Sequence, residues 1–248
     1  MNMYNALAPF YARLNADVDY EAIAARLDAI FRTHFERRVD SVLDLGCGSG
    51  NITIPLLKRG YDMIGVDISE EMLAQAREKD KEGRVLWLKQ DMRALELYGT
   101  VEAVVSTLDC INHLTRTSDV RACFSLVHNY LVPGGLFVFD VNSRRKFEEV
   151  YGSRAYILEE EGVLCAWQNF YSAKTHICRF DLSLFFENAD GLYERFDTVS
   201  RERMYPIKTL SRLLKESGFF VLGIYDGYTE KEANDSSERI TILARAVK

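Results

Sequence analysis

An apolar run that ends on a short turn with three glycines at alternate positions constrains this chain more than any other feature. The run covers residues 42–45 (Val-Leu-Asp-Leu), and the glycines are Gly46, Gly48 and Gly50. Apolar and β-branched residues favour a covered parallel strand, whereas glycine permits positive φ and leaves no Cβ between backbone and ligand. Because residues 51–59 have a helical pattern, the segment predicts the strand, turn and helix N-terminus of a nucleotide-binding corner in an open α/β sheet.

The spacing of the glycines separates two kinds of nucleotide ligand. Dinucleotide sites use G-x-G-x-x-G, in which the turn holds a pyrophosphate. Here Asp44 is followed by G-x-G-x-G, with Cys47 and Ser49 between the glycines. This pattern resembles the first motif of the class I S-adenosylmethionine-dependent methyltransferases. The alternative is a purely structural turn in another α/β protein.

A second acid lies in register with this motif. Asp67 ends the apolar run of residues 63–67, 21 positions after Gly46. An acid about 20 residues beyond the glycine turn accepts hydrogen bonds from the two hydroxyls of a ribose. Ser69 is the predicted N-cap of the next helix. Asp67 is therefore the strongest candidate for a ribose ligand.

The resemblance implies further contacts after the third and fourth predicted strands, residues 85–88 and 103–106. An adenine ring would meet Asp91 and Met92, and the loop of residues 107–114 would face the methyl group. Ile68 and Met72 would flank the adenine, although core packing explains both equally well. The residues assigned to the cofactor are Tyr4, Asp44, Gly46, Cys47, Gly48, Gly50, Asp67, Ile68, Met72, Asp91, Met92 and Leu108, and those assigned to catalysis are His113 and Tyr11.

A methyl group on a sulfonium is already a strong electrophile, so alignment of the acceptor supplies much of the catalysis. A base is required only when the acceptor arrives protonated, and His113 is the candidate by its pKa range and its place in the chain. Asn112 and Asp109 are alternative groups for orienting the acceptor. A histidine that only contacts backbone remains the other interpretation of His113.

The order of elements predicts the fold class. Five βα units cover residues 42–142, and a return hairpin follows at 219–247. We expect a Rossmann-like α/β fold: a seven-stranded, mostly parallel sheet with helices on both faces. Residues 1–150 and 206–248 would form the cofactor-binding domain. Residues 151–205 have alternating aromatic residues and hairpin signals, which predict an antiparallel β insertion that acts as a substrate lid.

Composition limits the partners. The net charge of −6 makes nucleic acid an unlikely partner, and no apolar run approaches the ~20 residues of a membrane span. The five scattered cysteines, without C-x-x-C, and the absence of a basic leader predict a cytoplasmic chain. No metal site is expected. The expected enzyme converts S-adenosylmethionine to S-adenosylhomocysteine and methylates a small-molecule N or O acceptor. An RNA methyltransferase and a non-enzymatic S-adenosylmethionine sensor are the alternatives, and no oligomeric state is specified.

Overall fold

A computed structural model describes residues 18–160 and 162–248 of the chain. Tyr4 and Tyr11 therefore lie outside the described residues. Five α-helices are described: α1 (Tyr20–His34), α2 (Thr53–Lys58), α3 (Glu70–Lys79), α4 (Thr117–Tyr130) and α5 (Ile207–Glu216). The described strands are β1 (Ser41–Leu45), β2 (Asp62–Asp67), β3 (Leu86–Lys89), β4 (Val101–Ser106), β5 (Leu131–Asn142), β6 (Ala155–Glu160), β7 (Val163–Ser172), β8 (Ile177–Glu187), β9 (Tyr193–Arg203), β10 (Phe219–Asp226) and β11 (Arg239–Ala246).

Seven of these strands form the first sheet, in the order β10-β11-β5-β4-β1-β2-β3. Neighbouring strands are parallel except that β11 runs antiparallel to both β5 and β10. The predicted seven-stranded, mostly parallel sheet is confirmed. Because the strand order reverses beside β1, a crevice opens at the carboxyl ends of β1 and β4, where ligands bind in such sheets.

Helices pack on both faces of the first sheet and create two apolar cores. One core holds α4 and α5, with Phe124, Phe137 and Phe139 in mutual ring contact at centroid distances of 4.7–5.5 Å. The other holds α1 and α2 against the opposite face. No helix among the described residues is long and apolar enough to cross a membrane.

Side-chain caps begin α1 and α3, and Ser69 is the cap of α3 that the sequence predicts. The Asp19 carboxylate accepts a hydrogen bond from the Ala22 N–H at 2.9 Å, and the Ser69 hydroxyl accepts one from the Met72 N–H at 3.2 Å. The helical spacing of apolar residues predicts a first helix over about residues 20–38, but α1 ends at His34 because Phe35 already has extended backbone angles.

The Pro-Gly-Gly segment at residues 133–135 differs from its prediction. The sequence predicts a break there, before a strand at 136–141. In the structure β5 begins at Leu131 and includes the segment, and its register against β4 shifts between Val101 and Ala103. The extra residues form an irregularity within the strand, which is where glycine and proline are tolerated in a sheet.

The predicted antiparallel insertion is present as the second sheet, with the order β6-β7-β8-β9. It follows β5 through a π-helical turn, Lys146–Tyr151. A core of its own includes Phe147, Cys165 and Leu184. Its last strand, β9, leads into α5 and so returns the chain to the first sheet.

Candidate active site

The glycine turn after β1 has the backbone that its sequence predicts. Gly46, Gly48 and Gly50 have φ values of +83°, +52° and +76°. The N–H groups of Gly46 and Cys47 donate to the carbonyl of Val66 at 2.8 and 3.0 Å, which fixes the turn to β2. A Cβ placed on Gly48 would have no atom within 4 Å. Gly48 therefore presents bare backbone to open space, as close approach by a ligand requires.

A cavity of about 280 Å³ lies beside this turn, at the carboxyl ends of β1, β2 and β4. Its position is the one that the reversal of strand order predicts. The glycine turn, the ends of β2 and β3, and the loop after β4 supply most of its wall. The lining residues are Tyr20, Gly46, Cys47, Gly48, Ser49, Asn51, Ile52, Val66, Asp67, Ile68, Met72, Gln90, Asp91, Met92, Arg93, Thr107, Leu108, Cys110, His113, Leu114, Thr115 and Asp119.

Asp67 lines the cavity and is held there by backbone N–H groups. Its Oδ2 accepts from the Gly48 N–H and its Oδ1 from the Ser69 N–H, both at 2.8 Å. Burial raises the pKa of Asp67, and these N–H donors oppose that rise. A carboxylate has about four acceptor positions, so two hydrogen bonds leave capacity for a diol.

Asp91 follows β3 and forms a tight pair with Arg93. The guanidinium Nε lies 2.9 and 3.0 Å from the two carboxylate oxygens, and the Arg93 backbone N–H also donates at 2.9 Å. Hydrogen bonding to Arg93 lowers the pKa of Asp91, so the acid stays ionised at neutral pH. Arg93 lines the same cavity but is absent from the predicted site residues, although it follows Asp91 by only two positions.

Apolar side chains also line the cavity. Ile68 is 50% exposed although it is aliphatic, whereas Met72 is buried on α3. Met92 and Leu108 line the cavity and are partly buried. An exposed isoleucine at a cavity rim can pack against a flat ring when a ligand enters.

Asp44 and Gly50 belong to the predicted cofactor residues but do not line the cavity. Asp44 is buried, its Oδ2 accepts from the Thr53 hydroxyl at 2.6 Å, and burial raises its pKa to about 7. A Cβ on Gly50 would lie 2.9 Å from the Trp87 ring. Asp44 and Gly50 therefore face the core and stabilise the turn without reaching the cavity.

The loop after β4 has a strained backbone at the cavity wall. Leu108 and Asp109 have φ values of +59° and +60°, which are uncommon for residues other than glycine. The carboxylate of Asp140 accepts hydrogen bonds from both of their N–H groups, at 2.6 and 3.0 Å. Arg239 forms ion pairs with Asp140 and with Asp109, and the Tyr228 hydroxyl donates to Asp140 at 2.5 Å. This buried network compensates for the strain of the turn.

His113 lies at the end of the same loop and lines the cavity. Its Nε2 is 3.9 Å from Oε1 of Glu202, which comes from β9 of the second sheet. Burial lowers the pKa of His113, while the charge of Asp109 opposes that change. The imidazole is therefore neutral at pH 7 and has the protonation state that a proton acceptor needs.

Asn112, which the sequence analysis considered for orienting the acceptor, instead joins three elements. Its Nδ2 donates to the Arg203 carbonyl at 2.7 Å, and its Oδ1 accepts from the Asn142 N–H at 2.9 Å. It is fully buried. Both ends of the amide are used by backbone groups, so Asn112 connects the loop to β5 and to the second sheet.

The second sheet contacts the active-site loop at the end of β9. The Arg203 guanidinium donates to the Thr115 carbonyl at 3.1 Å, and the Tyr205 hydroxyl donates to the Leu114 carbonyl. None of the residues that line the cavity comes from 151–205 among those described. The second sheet reaches the site through Glu202, beside His113.

Comparison with known proteins gives related sequences and folds. A family model described as a methyltransferase domain matches residues 42–135. A putative methyltransferase of Geobacillus sp. (strain WCH70) is 30% identical over 244 residues, which cover 98% of this chain and 99% of that protein. The crystal structure of an S-adenosylmethionine-dependent methyltransferase from Clostridium acetobutylicum superimposes with a TM-score of 0.89 at 29% identity, over all of both chains.

A more distant likeness concerns the fold alone. CalS10, an amino pentose methyltransferase from Micromonospora echinaspora solved with bound S-adenosylmethionine, gives a TM-score of 0.76 at 20% identity. The alignment covers 96% of this chain and 95% of that one.

Proposed function

Because the chain belongs to the class I S-adenosylmethionine-dependent methyltransferases, we propose that this enzyme methylates a nitrogen or oxygen of a small-molecule acceptor. The single observation that carries the proposal is the cavity beside the glycine turn, which both Asp67 and His113 line. S-adenosylmethionine supplies an electrophilic methyl group when bound. The chain must therefore hold that cofactor, align an acceptor and exclude water.

The cofactor assignments form the first part of the proposal. Bare backbone at Gly48 fits a close-lying ligand, and the fixed carboxylate of Asp67 fits a ribose diol. Ionised Asp91 fits an adenine amino group, with Ile68 against the ring. We assign the remaining contacts to Gly46, Cys47, Met72, Met92 and Leu108, and we retain Tyr4 and Tyr11 as candidates from the sequence.

The acceptor side forms the second part. The second sheet is joined to the active-site loop by Asn112, Arg203 and Tyr205, which places its last strand beside His113. We propose residues 151–205 as a substrate lid on the cofactor-binding domain of residues 1–150 and 206–248. A covered acceptor site excludes water and suits a small molecule.

His113 is the proposed general base. It lines the cavity and is neutral at pH 7, because burial lowers its pKa. A base of this kind contributes when the acceptor carries a proton that must leave before attack. Otherwise the loop contributes mainly by aligning the acceptor for in-line displacement.

RNA is the second candidate acceptor, and its binding provides the test. A nucleic-acid substrate needs several Lys and Arg contacts to phosphates, so its affinity falls steeply as salt is raised. This chain has a net charge of −6. We expect no binding of tRNA or rRNA at physiological salt, measured by fluorescence anisotropy. Tight binding with a salt slope that indicates several phosphate contacts would contradict the small-molecule proposal.

A further inference from the structure

The acidic and imidazole groups that meet where the second sheet touches the active-site loop indicate the class of acceptor. We propose that the acceptor is an amine that arrives as an ammonium ion and is held by Asp109, His113 and Glu202. Asp109 and His113 come from the loop after β4, and Glu202 comes from β9. The inference rests on the proposed function, and it specifies nitrogen as the atom that is methylated.

The spacing of the three groups fits hydrogen bonds to nitrogen. One carboxylate oxygen from each acid and one ring nitrogen of His113 all lie within 4.8 Å of one another. A nitrogen placed beside three atoms that are no more than 4.8 Å apart can lie about 2.8–3.0 Å from each of them, which is the length of a hydrogen bond to nitrogen. A primary ammonium has three donors and would give one to each group.

A divalent metal ion is the alternative ligand for these three groups, because carboxylate oxygen and imidazole nitrogen also bind metals.

Glu202 provides an independent reason to expect a cation. It is only 7% exposed, its Oε2 accepts one hydrogen bond from neutral Asn142 at 3.2 Å, and its Oε1 lies 3.9 Å from His113. Burial raises the pKa of Glu202 well above its ordinary value. A nearby cation favours the charged form of a buried carboxylate.

The charged groups that surround the site also favour a bound cation. Three carboxylates face this region: Asp109, Asp140 and Glu202. Two cations oppose them: Arg239, which forms ion pairs with Asp109 and Asp140, and Lys146, whose ammonium lies 5.4 Å from the centre of the Tyr151 ring. A bound ammonium would add a cation that favours the ionised form of Glu202 against the effect of its burial.

The chemistry needs the proton to leave before methyl transfer. An ammonium nitrogen has no free electron pair, so one N–H proton first passes to Nε2 of neutral His113. The freed electron pair forms the new N–C bond to the methyl group while the C–S bond breaks. The sulfonium becomes an uncharged thioether, and the methylated nitrogen carries the positive charge. Release of the His113 proton to solvent completes the balance.

A panel of paired acceptors tests the inference. Primary and secondary amines on sugar, amino-acid and nucleoside skeletons are each paired with the corresponding hydroxyl compound, and S-adenosylhomocysteine release is measured at saturating S-adenosylmethionine. We expect turnover with one or more amines and none with their hydroxyl partners. Failure of every amine contradicts the inference. Turnover of a hydroxyl compound overturns the amine assignment but leaves the small-molecule function, whereas turnover of RNA overturns both.

Two isosteric variants test the named groups on an amine that turns over. Glu202→Gln keeps an acceptor for Asn142, and Asp109→Asn suits the positive φ at that position. Each should raise the KM for the amine at least roughly tenfold, as loss of a charge-assisted hydrogen bond implies, and leave the KM for S-adenosylmethionine unchanged. Glu194→Gln, at an exposed position of β9, is the matched control and should change neither. The proposal would be overturned if both variants had an unchanged KM for the amine. It would also be overturned if the wild-type protein bound Mn²⁺ with micromolar affinity and the amine displaced that Mn²⁺.

Discussion

The carboxylate of Asp140, at the end of β5, accepts a hydrogen bond of 2.6 Å from the backbone N–H of Leu108 in the active-site loop. The same carboxylate accepts from the next N–H and forms an ion pair with Arg239. A residue 32 positions later in the chain thus holds the left-handed turn that brings His113 to the cavity. The loop is positioned mainly by this buried charge.

Asp140→Asn should therefore destabilise the protein and the site together. The substitution leaves Arg239 without its fully buried partner, and breaking a buried ion pair costs about 3–5 kcal/mol. Tyr228→Phe, which removes one hydrogen bond to the same carboxylate, should cost only about 1 kcal/mol. Urea denaturation measures both values. Equal stability of wild type and Asp140→Asn would show that the network does not hold the turn.

Gly48→Ala tests the open face of the glycine turn. No protein atom lies within 4 Å of the added Cβ, so a loss of affinity beyond that caused by alanine at positive φ would report the ligand. We expect at least roughly tenfold weaker binding of S-adenosylhomocysteine by calorimetry, as a displaced buried contact implies. Gly83→Ala is the control, since Gly83 also has positive φ and open space but lies outside the cavity. Similar affinities for the two variants would remove Gly48 from the cofactor site.

His113→Ala tests the proposed base. Turnover should fall by roughly 10²-fold at neutral pH, while binding of S-adenosylmethionine is preserved. The wild-type rate should decline as pH falls through the pKa of His113, because only the neutral imidazole accepts a proton. Burial places that pKa below the ordinary value of 6.5, so the decline should lie below pH 6.5. A variant with normal turnover and an unchanged pH profile would leave alignment as the whole mechanism.

Asp44→Asn should change how stability depends on pH. The folded pKa of about 7 lies above the ordinary value of 3.8, so the folded state binds a proton more tightly than the unfolded state. Stability therefore decreases as pH rises from about 4 to 7, by at most about 4 kcal/mol from this group. The asparagine variant should lose that dependence, as measured by denaturation of the ligand-free protein across this range. Parallel pH curves for the two proteins would contradict the raised pKa.

The cofactor half of the site could be predicted because its signals are local. The glycine turn, Asp67 and Asp91 each follow a short apolar strand, and parallel strands bring their carboxyl ends to one edge. The same regularity predicted the seven-stranded sheet. Asp44 and Gly50 share the motif without reaching the cavity, because Asp44 hydrogen-bonds Thr53 in the core and Gly50 faces the Trp87 ring.

The acceptor half could not be predicted in the same way because it depends on contacts between distant parts of the chain. Arg239 meets Asp140 across 99 positions, and Glu202 meets His113 from another sheet. Nothing near Glu202 distinguishes it from its charged neighbours on β9, although only Glu202 among the acids of that strand is buried. The left-handed backbone at Asp109 has no sequence signal either.

The destination of the methyl group tests the central claim most directly. The protein is incubated with deuterium-labelled S-adenosylmethionine and a cell extract that retains both metabolites and RNA, and the label is located by mass spectrometry. A small-molecule methyltransferase places the labelled methyl group in the low-molecular-mass fraction, and His113→Ala reduces that signal. Label confined to RNA, or none in any fraction while the protein binds S-adenosylmethionine, would contradict the account.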